Sequence, residues 1–176
     1  MHPKLLPLAS ALICFAAAGT AASAATKSAH ADLVNAQGAT VGHAKLSATA
    51  GGVKISVEAS QLTPGDHGIH IHNVGKCEGP AFTTAGGHFN PTSAHHGTHN
   101  AADPKPHLGD LPNLTVDAKG KGKLSFVVSG ATLDSGPNSL FHDGGTALVI
   151  HAKADDLMSD PSGNSGDRIA CGVIQQ

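Results

Sequence analysis

The sequence predicts an all-β domain: an antiparallel sandwich or flattened barrel of about eight short strands that carries two long loops. Three observations support this. Apolar and polar residues alternate in short runs, as at Val53, Ile55 and Val57, and no helical period is sustained. Glycine and proline, 22 and 10 of them in 176 residues, punctuate those runs. Two connections, 74–112 and 152–168, are too long to be turns, and long connections inside a compact domain usually serve function.

Residues 1–24 read as a cleaved signal peptide. Lys4 gives a basic start, 5–18 an apolar centre and Ala22-Ser23-Ala24 a small-residue cleavage site, which leaves a domain over 25–176. Cleavage after Ala25 fits equally well. The apolar run is too short to span a bilayer, and bulky Ile13 before Cys14 argues against a lipid-modified cysteine. About 150 residues then remain, the size of one ordinary domain.

Strands are expected over 31–35 and 41–50, joined at Gln37-Gly38, with Gly51-Gly52 turning the chain into 53–60. Thr63-Pro64-Gly65 leads into a strand over 67–73. Segments 114–117 and 124–128 flank a turn at Lys119-Gly120-Lys121-Gly122, and 147–151 and 169–174 complete the set. Five phenylalanines and no tryptophan or tyrosine leave the core to Val, Ile, Leu and Ala. A net charge of −2 with 14% charged residues excludes the electrostatic footprint of a nucleic-acid binder. Beyond Cys14, the cysteines are Cys77 and Cys171. In an oxidising exported compartment an even pair reads as a disulfide, the alternative being two buried thiols.

Histidine dominates the chemistry. Eight of the 13 histidines fall between His67 and Asp110. His70 and His72 alternate in a strand-like run, so both rings point from one face. His88, His96, His107 and Asp110 stand on the first long loop, where irregular backbone can aim ligands. His151 closes the apolar run 147–150. Neutral imidazole suits zinc and copper, and six histidines with a carboxylate exceed the needs of one tetrahedral zinc. Two adjacent metal sites are therefore expected. His95 and His99 fall off this pattern and read as exposed loop residues, while His30, His43 and His142 lack a ligand context.

The segments Gly68-Ile69-His70-Ile71-His72, Gly87-His88-Phe89-Asn90-Pro91, His96-Gly97, His107-Leu108-Gly109-Asp110-Leu111, His151-Ala152-Lys153-Ala154-Asp155-Asp156-Leu157 and the stretch 166–174 resemble the copper/zinc superoxide dismutase family, secreted bacterial type. The resemblance covers nearly the whole mature chain. It implies an eight-stranded Greek-key sandwich and one copper and one zinc ion per chain. Copper would take His70, His72, His88 and His151; zinc would take His88, His96, His107 and Asp110, with His88 shared. Asp155 would hold His70 and His96 from behind, and Cys77 would pair with Cys171. Arg168 beside copper and the proton-carrying His88 would be the catalytic residues, converting two superoxide anions and two protons to dioxygen and hydrogen peroxide.

The implied protein is exported to the periplasm, acts on a small molecule without nucleic-acid or membrane partners, and is a monomer or homodimer. The loop 152–167 departs from animal and plant members: it is short and has four aspartates against one lysine. Guidance of the anion is expected from elsewhere, with Lys76 and Lys105 as candidates. The alternative reading, a metal carrier without turnover, is disfavoured by the full copper set and Arg168.

Overall fold

The computed structural model describes residues 26–104 and 106–176; the expected signal peptide and Lys105 lie outside them. Nine strands are described: β1 Ser28–Asn35, β2 Thr40–Thr49, β3 Gly52–Ala59, β4 Gly65–His67, β5 Ile69–His72, β6 Leu114–Val116, β7 Gly122–Ser129, β8 Ala147–His151 and β9 Arg168–Val173. A short 3-10 turn over Thr83–Ala85 is the one helical element among the described residues. Every strand pairing is antiparallel, in the order β4-β6-β7-β3-β2-β1-β9-β8-β5.

The two ends of that order, β4 and β5, are neighbours in the chain with Gly68 alone between them. One continuous run therefore changes partner, from β6 before Gly68 to β8 after it, and the sheet wraps into a nearly closed barrel. This is why the strand expected over 67–73 becomes two. Gly68 donates its N–H to the Lys153 carbonyl at 2.8 Å, and a Cβ there would stand 2.8 Å from that of Ser165. A third long connection, 130–146, was not anticipated. It has no alternation to read, yet it buries Ala131, Leu133 and Leu140 in the core.

The alternation that marked the strands sorts the interior. Ala29, Ala31 and Leu33 of β1, Ala44 and Leu46 of β2, and Val53, Ile55 and Val57 of β3 all point into the barrel. Strands β5 and β8 are buried on both faces. Their barrel face carries Ile69, Ile71, Leu148 and Ile150. The opposite face carries His70, His72 and His151 beside Ala147 and Val149, which pack with Phe82, Ala85 and Cys171 under the first long loop.

That loop also covers the free edge of β5. Phe89 N–H donates to the Ile71 carbonyl at 2.8 Å, and Ile71 N–H to that of Gly109 at 2.9 Å. His88 is thereby bridged to His72 and Asp110 to His70, so an edge open to pairing becomes a scaffold for the loop. Gly109 is required by the close approach, since a Cβ there would meet the Ile71 carbonyl oxygen at 2.2 Å.

Cys77 and Cys171 form a disulfide with Cα atoms 5.6 Å apart, closing a separation of 94 residues. Cys171 is central in the sheet, opposite Val149 and Val34, so the bond pins the start of the long loop to the barrel. In the chain-entropy account such a closure contributes roughly 4 to 5 kcal/mol. Cys77→Ser is expected to lower the unfolding free energy by about 2 to 5 kcal/mol and to loosen the loop that carries the metal-facing residues. Denaturant titration measures the first effect. Two free thiols per wild-type chain in a non-reducing thiol count would overturn the assignment.

Candidate metal centre

Seven side chains from two strands, β5 and β8, and the first long loop meet on the outer face of β5. Two groups of four converge, His70, His72, His88 and His151 in one and His88, His96, His107 and Asp110 in the other, with potential ligand atoms within 4.8 Å of one another. His88 belongs to both.

Hydrogen bonding decides which nitrogen each ring presents. His72 Nδ1–H donates to the Gly86 carbonyl at 2.9 Å and His151 Nδ1–H to that of Gly166 at 3.1 Å. Both rings therefore turn Nε2 toward the group. His70 is reversed: its Nε2–H donates to Asp155 Oδ2 at 2.7 Å, which leaves Nδ1 facing inward. His88 Nδ1 lies 2.8 Å from Asp110 Oδ1 and its Nε2 faces the other rings. Among the described residues five buried side-chain polar atoms lack a partner, and four are His70 Nδ1, His72 Nε2, His88 Nε2 and His151 Nε2. Buried polar atoms are normally satisfied. Four unpartnered imidazole nitrogens in one cluster are a donor set that suits copper.

The second group centres on one carboxylate oxygen. The Nδ1 atoms of His88, His96 and His107 lie 2.8, 3.0 and 3.3 Å from Asp110 Oδ1. Asp110 Oδ2 accepts the backbone N–H groups of Gly97 and His107 at 2.9 and 3.0 Å, so the carboxylate cannot swing away. Three imidazoles and one carboxylate are a tetrahedral zinc donor set. Asp155 links the groups from behind, with Oδ2 on His70 and Oδ1 3.0 Å from His96 Nε2. Holding the remote nitrogen of a ligating ring fixes its tautomer and orientation.

Burial pushes His70, His72 and His151 down to about 3, 2 and 4, so these rings are neutral at physiological pH. For His70 the Asp155 carboxylate only partly offsets that effect. His96 behaves oppositely. Burial opposes its charge, but Asp110 and Asp155, one at each ring nitrogen, raise it to about 9. Burial likewise opposes ionisation of Asp110, and bonds from His107, His88 and His96 outweigh it and hold the group well below the carboxylate range.

The metal-stripped protein is expected to lose stability on both sides of neutrality. The unfolded value for each ring is about 6.5. His96 contributes stability that is complete below that value and lost as pH rises through about 9. The depressed values of His70, His72 and His151 contribute stability present above about 6.5, lost as pH falls toward 4, 3 and 2. The melting temperature should therefore peak near neutrality and decline on both sides. Zinc held at His96 Nδ1 would replace the proton there, so loading should flatten the alkaline decline. An alkaline decline equal with and without zinc would refute this account.

Arg168 opens β9 opposite His151 in the ladder. Its guanidinium donates to the carbonyls of Phe82 and Gly86 at 2.7 and 2.6 Å. The Gly86 oxygen thus holds both Arg168 and His72. Arg168 shares a cavity of about 400 Å³ with His72, His88 and His151, rimmed by Asn90, Pro161 and Gly166.

The family model described as copper/zinc superoxide dismutase matches residues 40–174. The chain belongs to the copper/zinc superoxide dismutase family. It is 49% identical over 148 residues to Cu-Zn superoxide dismutase 1 of Aquifex aeolicus, covering 83% of this chain and 86% of the relative. It is 41% identical to the Cu-Zn superoxide dismutase of Deinococcus radiodurans, with 82% of each chain covered. A crystal structure of a superoxide dismutase-like protein from Bacillus subtilis, a double mutant, superposes with a TM-score of 0.79 at 40% identity, covering 84% of this chain and 97% of the other.

Several residues around this family centre carry no motif signal. Asn113 brackets Asp155 through its main chain, donating Nδ2–H to the carbonyl at 2.9 Å and accepting the N–H at 2.8 Å. His67, fully buried, spans from the His151 carbonyl at 2.7 Å to that of Thr63 at 2.8 Å. Only their long-range partners mark these two. Of the two candidate guides, Lys76 is exposed beside the disulfide. Lys153, outside that pair, lays its stem along Gly166 on the cavity rim. His95 and His99 are exposed, as expected, and His95 has a partner in Asp160 at 2.9 Å.

Proposed function

We propose that this chain is an exported superoxide dismutase, released by cleavage of residues 1–24 and working in the periplasm on superoxide. In this reading copper is held by His70, His72, His88 and His151, and zinc by His88, His96, His107 and Asp110. His88 would be shared between them, its Nε2 facing the first group and its Nδ1 the second. The single observation that carries the reading is the set of four unpartnered ring nitrogens beside a three-imidazole, one-carboxylate cluster. Bound copper supplies alternating one-electron oxidation and reduction of superoxide, while zinc, with its filled d shell, supplies no redox step.

The chain's own residues do the rest. Arg168 attracts the anion into the cavity it shares with His72, His88 and His151, and its fixed guanidinium presents several donors to an oxygen anion. Two backbone carbonyls hold that guanidinium in place. His88 can hold and deliver a proton at Nε2, an atom buried beside the same cavity. Asp155 orients His70 and His96, and Asp110 stands on the Nδ1 side of His88, away from the Nε2 that would exchange its proton.

A disulfide formed across 94 residues suits an exported protein, and no helix among the described residues is long and apolar enough to cross a membrane. The test is superoxide consumption by protein loaded with copper and zinc, against metal-stripped protein and protein loaded with zinc alone. Activity should depend on copper and vanish with a chelator. Stoichiometric metal binding with no turnover would replace this reading by a metal carrier.

A further inference from the structure

The zinc-side group depends on a loop in which the described residues form no strand between His88 and β6, so contacts outside the ligand set must help to hold it. The hold comes from the second long loop. Asp160 Oδ1 accepts the backbone N–H of His96 at 2.6 Å. Its Oδ2 accepts His95 Nδ1–H at 2.9 Å and the Asn100 side-chain amide at 3.1 Å. Asn100 also donates to the carbonyls of His96 at 3.1 Å and Met158 at 2.9 Å. The two loops are in such close contact that a Cβ on Gly97 would stand 2.2 Å from the Leu157 carbonyl.

We propose that Asp160 is a positioning residue for His96, gripping its backbone N–H while Asp155, five positions earlier on the same loop, grips its ring. One loop then holds this histidine at both ends. The ring of His96 is fully buried and its Nδ1 is 3.0 Å from Asp110, so a small backbone shift would move the nitrogen off its target. Both carboxylates come from a loop 59 to 64 residues away in sequence, and each constrains a different part of the residue. A ligand fixed in advance costs less ordering when the ion arrives. His95 is thereby given a role: its ring hydrogen-bonds Asp160 Oδ2 from the solvent side and steadies the carboxylate. The proposal rests on the reading of His88, His96, His107 and Asp110 as the zinc site.

The experiment compares wild type, Asp160→Ala, Asp160→Asn and Asp156→Ala. Asp156 is the control because it caps its own loop, accepting from Met158, Ser159 and Asn164, and makes no bond to the 95–100 segment. Protein loaded with copper and zinc is mixed with a chromogenic zinc chelator and the release rate recorded. A second sample carries cobalt(II) at the zinc position for its visible spectrum.

Asp160→Ala should release zinc roughly 10-fold faster or more, matching the loss of a group that orients a metal ligand, and should shift the cobalt bands. Asp160→Asn should fall between, since its amide oxygen can still accept the His96 N–H. Asp156→Ala should stay near wild type. Wild-type release and an unchanged cobalt spectrum in Asp160→Ala would overturn the proposal, as would equal acceleration in Asp156→Ala. Failure of the wild-type protein to take up zinc would overturn the zinc reading along with it, whereas normal wild-type uptake with an indifferent Asp160→Ala overturns this role alone.

Discussion

His88→Ala is expected to strip both metals at once, the largest effect of any single substitution in this chain. Among the six histidines of the two four-residue groups it alone belongs to both: Nδ1 is 2.8 Å from Asp110 Oδ1, and Nε2 is unpartnered among His70, His72 and His151. Removing it takes one of four donors from each group. The loss of affinity should exceed the roughly 10 to 100-fold that follows when a group merely orienting a ligand is removed. Dismutation should fall to the background of the metal-stripped protein. His107→Ala is the natural comparison, because His107 faces the Asp110 group alone and should reduce zinc while sparing most copper. Elemental analysis and copper spectroscopy on both variants decide the matter. Full zinc content and an unaltered copper spectrum in His88→Ala would show that the ring is not shared.

Arg168→Ala should leave both metals in place and still slow the reaction by an order of magnitude or more, in line with the roughly 10 to 1,000-fold reach of electrostatic steering. Superoxide is too small to be held by apolar contact, so attraction must come from charge. Burial lowers the Arg168 pKa, yet a guanidinium stays protonated at any working pH. Two of its donors are committed to Phe82 and Gly86, which fixes its plane beside the cavity and leaves other N–H groups free of those carbonyls. Arg168→Lys should keep part of the rate as a point charge, and Arg168→Glu should be slowest. Salt screens charges beyond about 8 Å at physiological ionic strength, so the wild-type rate should fall along a salt series more steeply than that of Arg168→Ala. A rate for Arg168→Glu equal to wild type at low salt would remove steering from the account.

Much of this was legible in the residues. Alternation at Val53, Ile55 and Val57 marks a strand because its period of two is a property of the backbone, and it reappears as an inward-facing row. The same period aligns His70 with His72. Glycine pairs and short turn signals located the hairpins to within a few residues. The segment 130–146 was opaque because its buried Ala131, Leu133 and Leu140 follow no period and are anchored by tertiary packing. The break at Gly68 was equally invisible, since a change of partner between β6 and β8 leaves no mark on a local pattern.

The centre divides along the same line. Residue types and their spacing established that imidazoles and one carboxylate would dominate the chemistry, since donor identity is written in the side chain. They could not say which nitrogen of each ring faces inward. That choice belongs to distant carbonyls and carboxylates: Gly86 for His72, Gly166 for His151, Asp155 for His70. His95 read as an idle loop residue until the fold set Asp160 against it, 65 positions away. Arg168 could be recognised from its motif, but the two carbonyls that aim it lie 82 and 86 residues earlier in the chain. A hydrogen bond has a direction and a length, and for groups this far apart in sequence both are set by how the barrel closes and the loops dock.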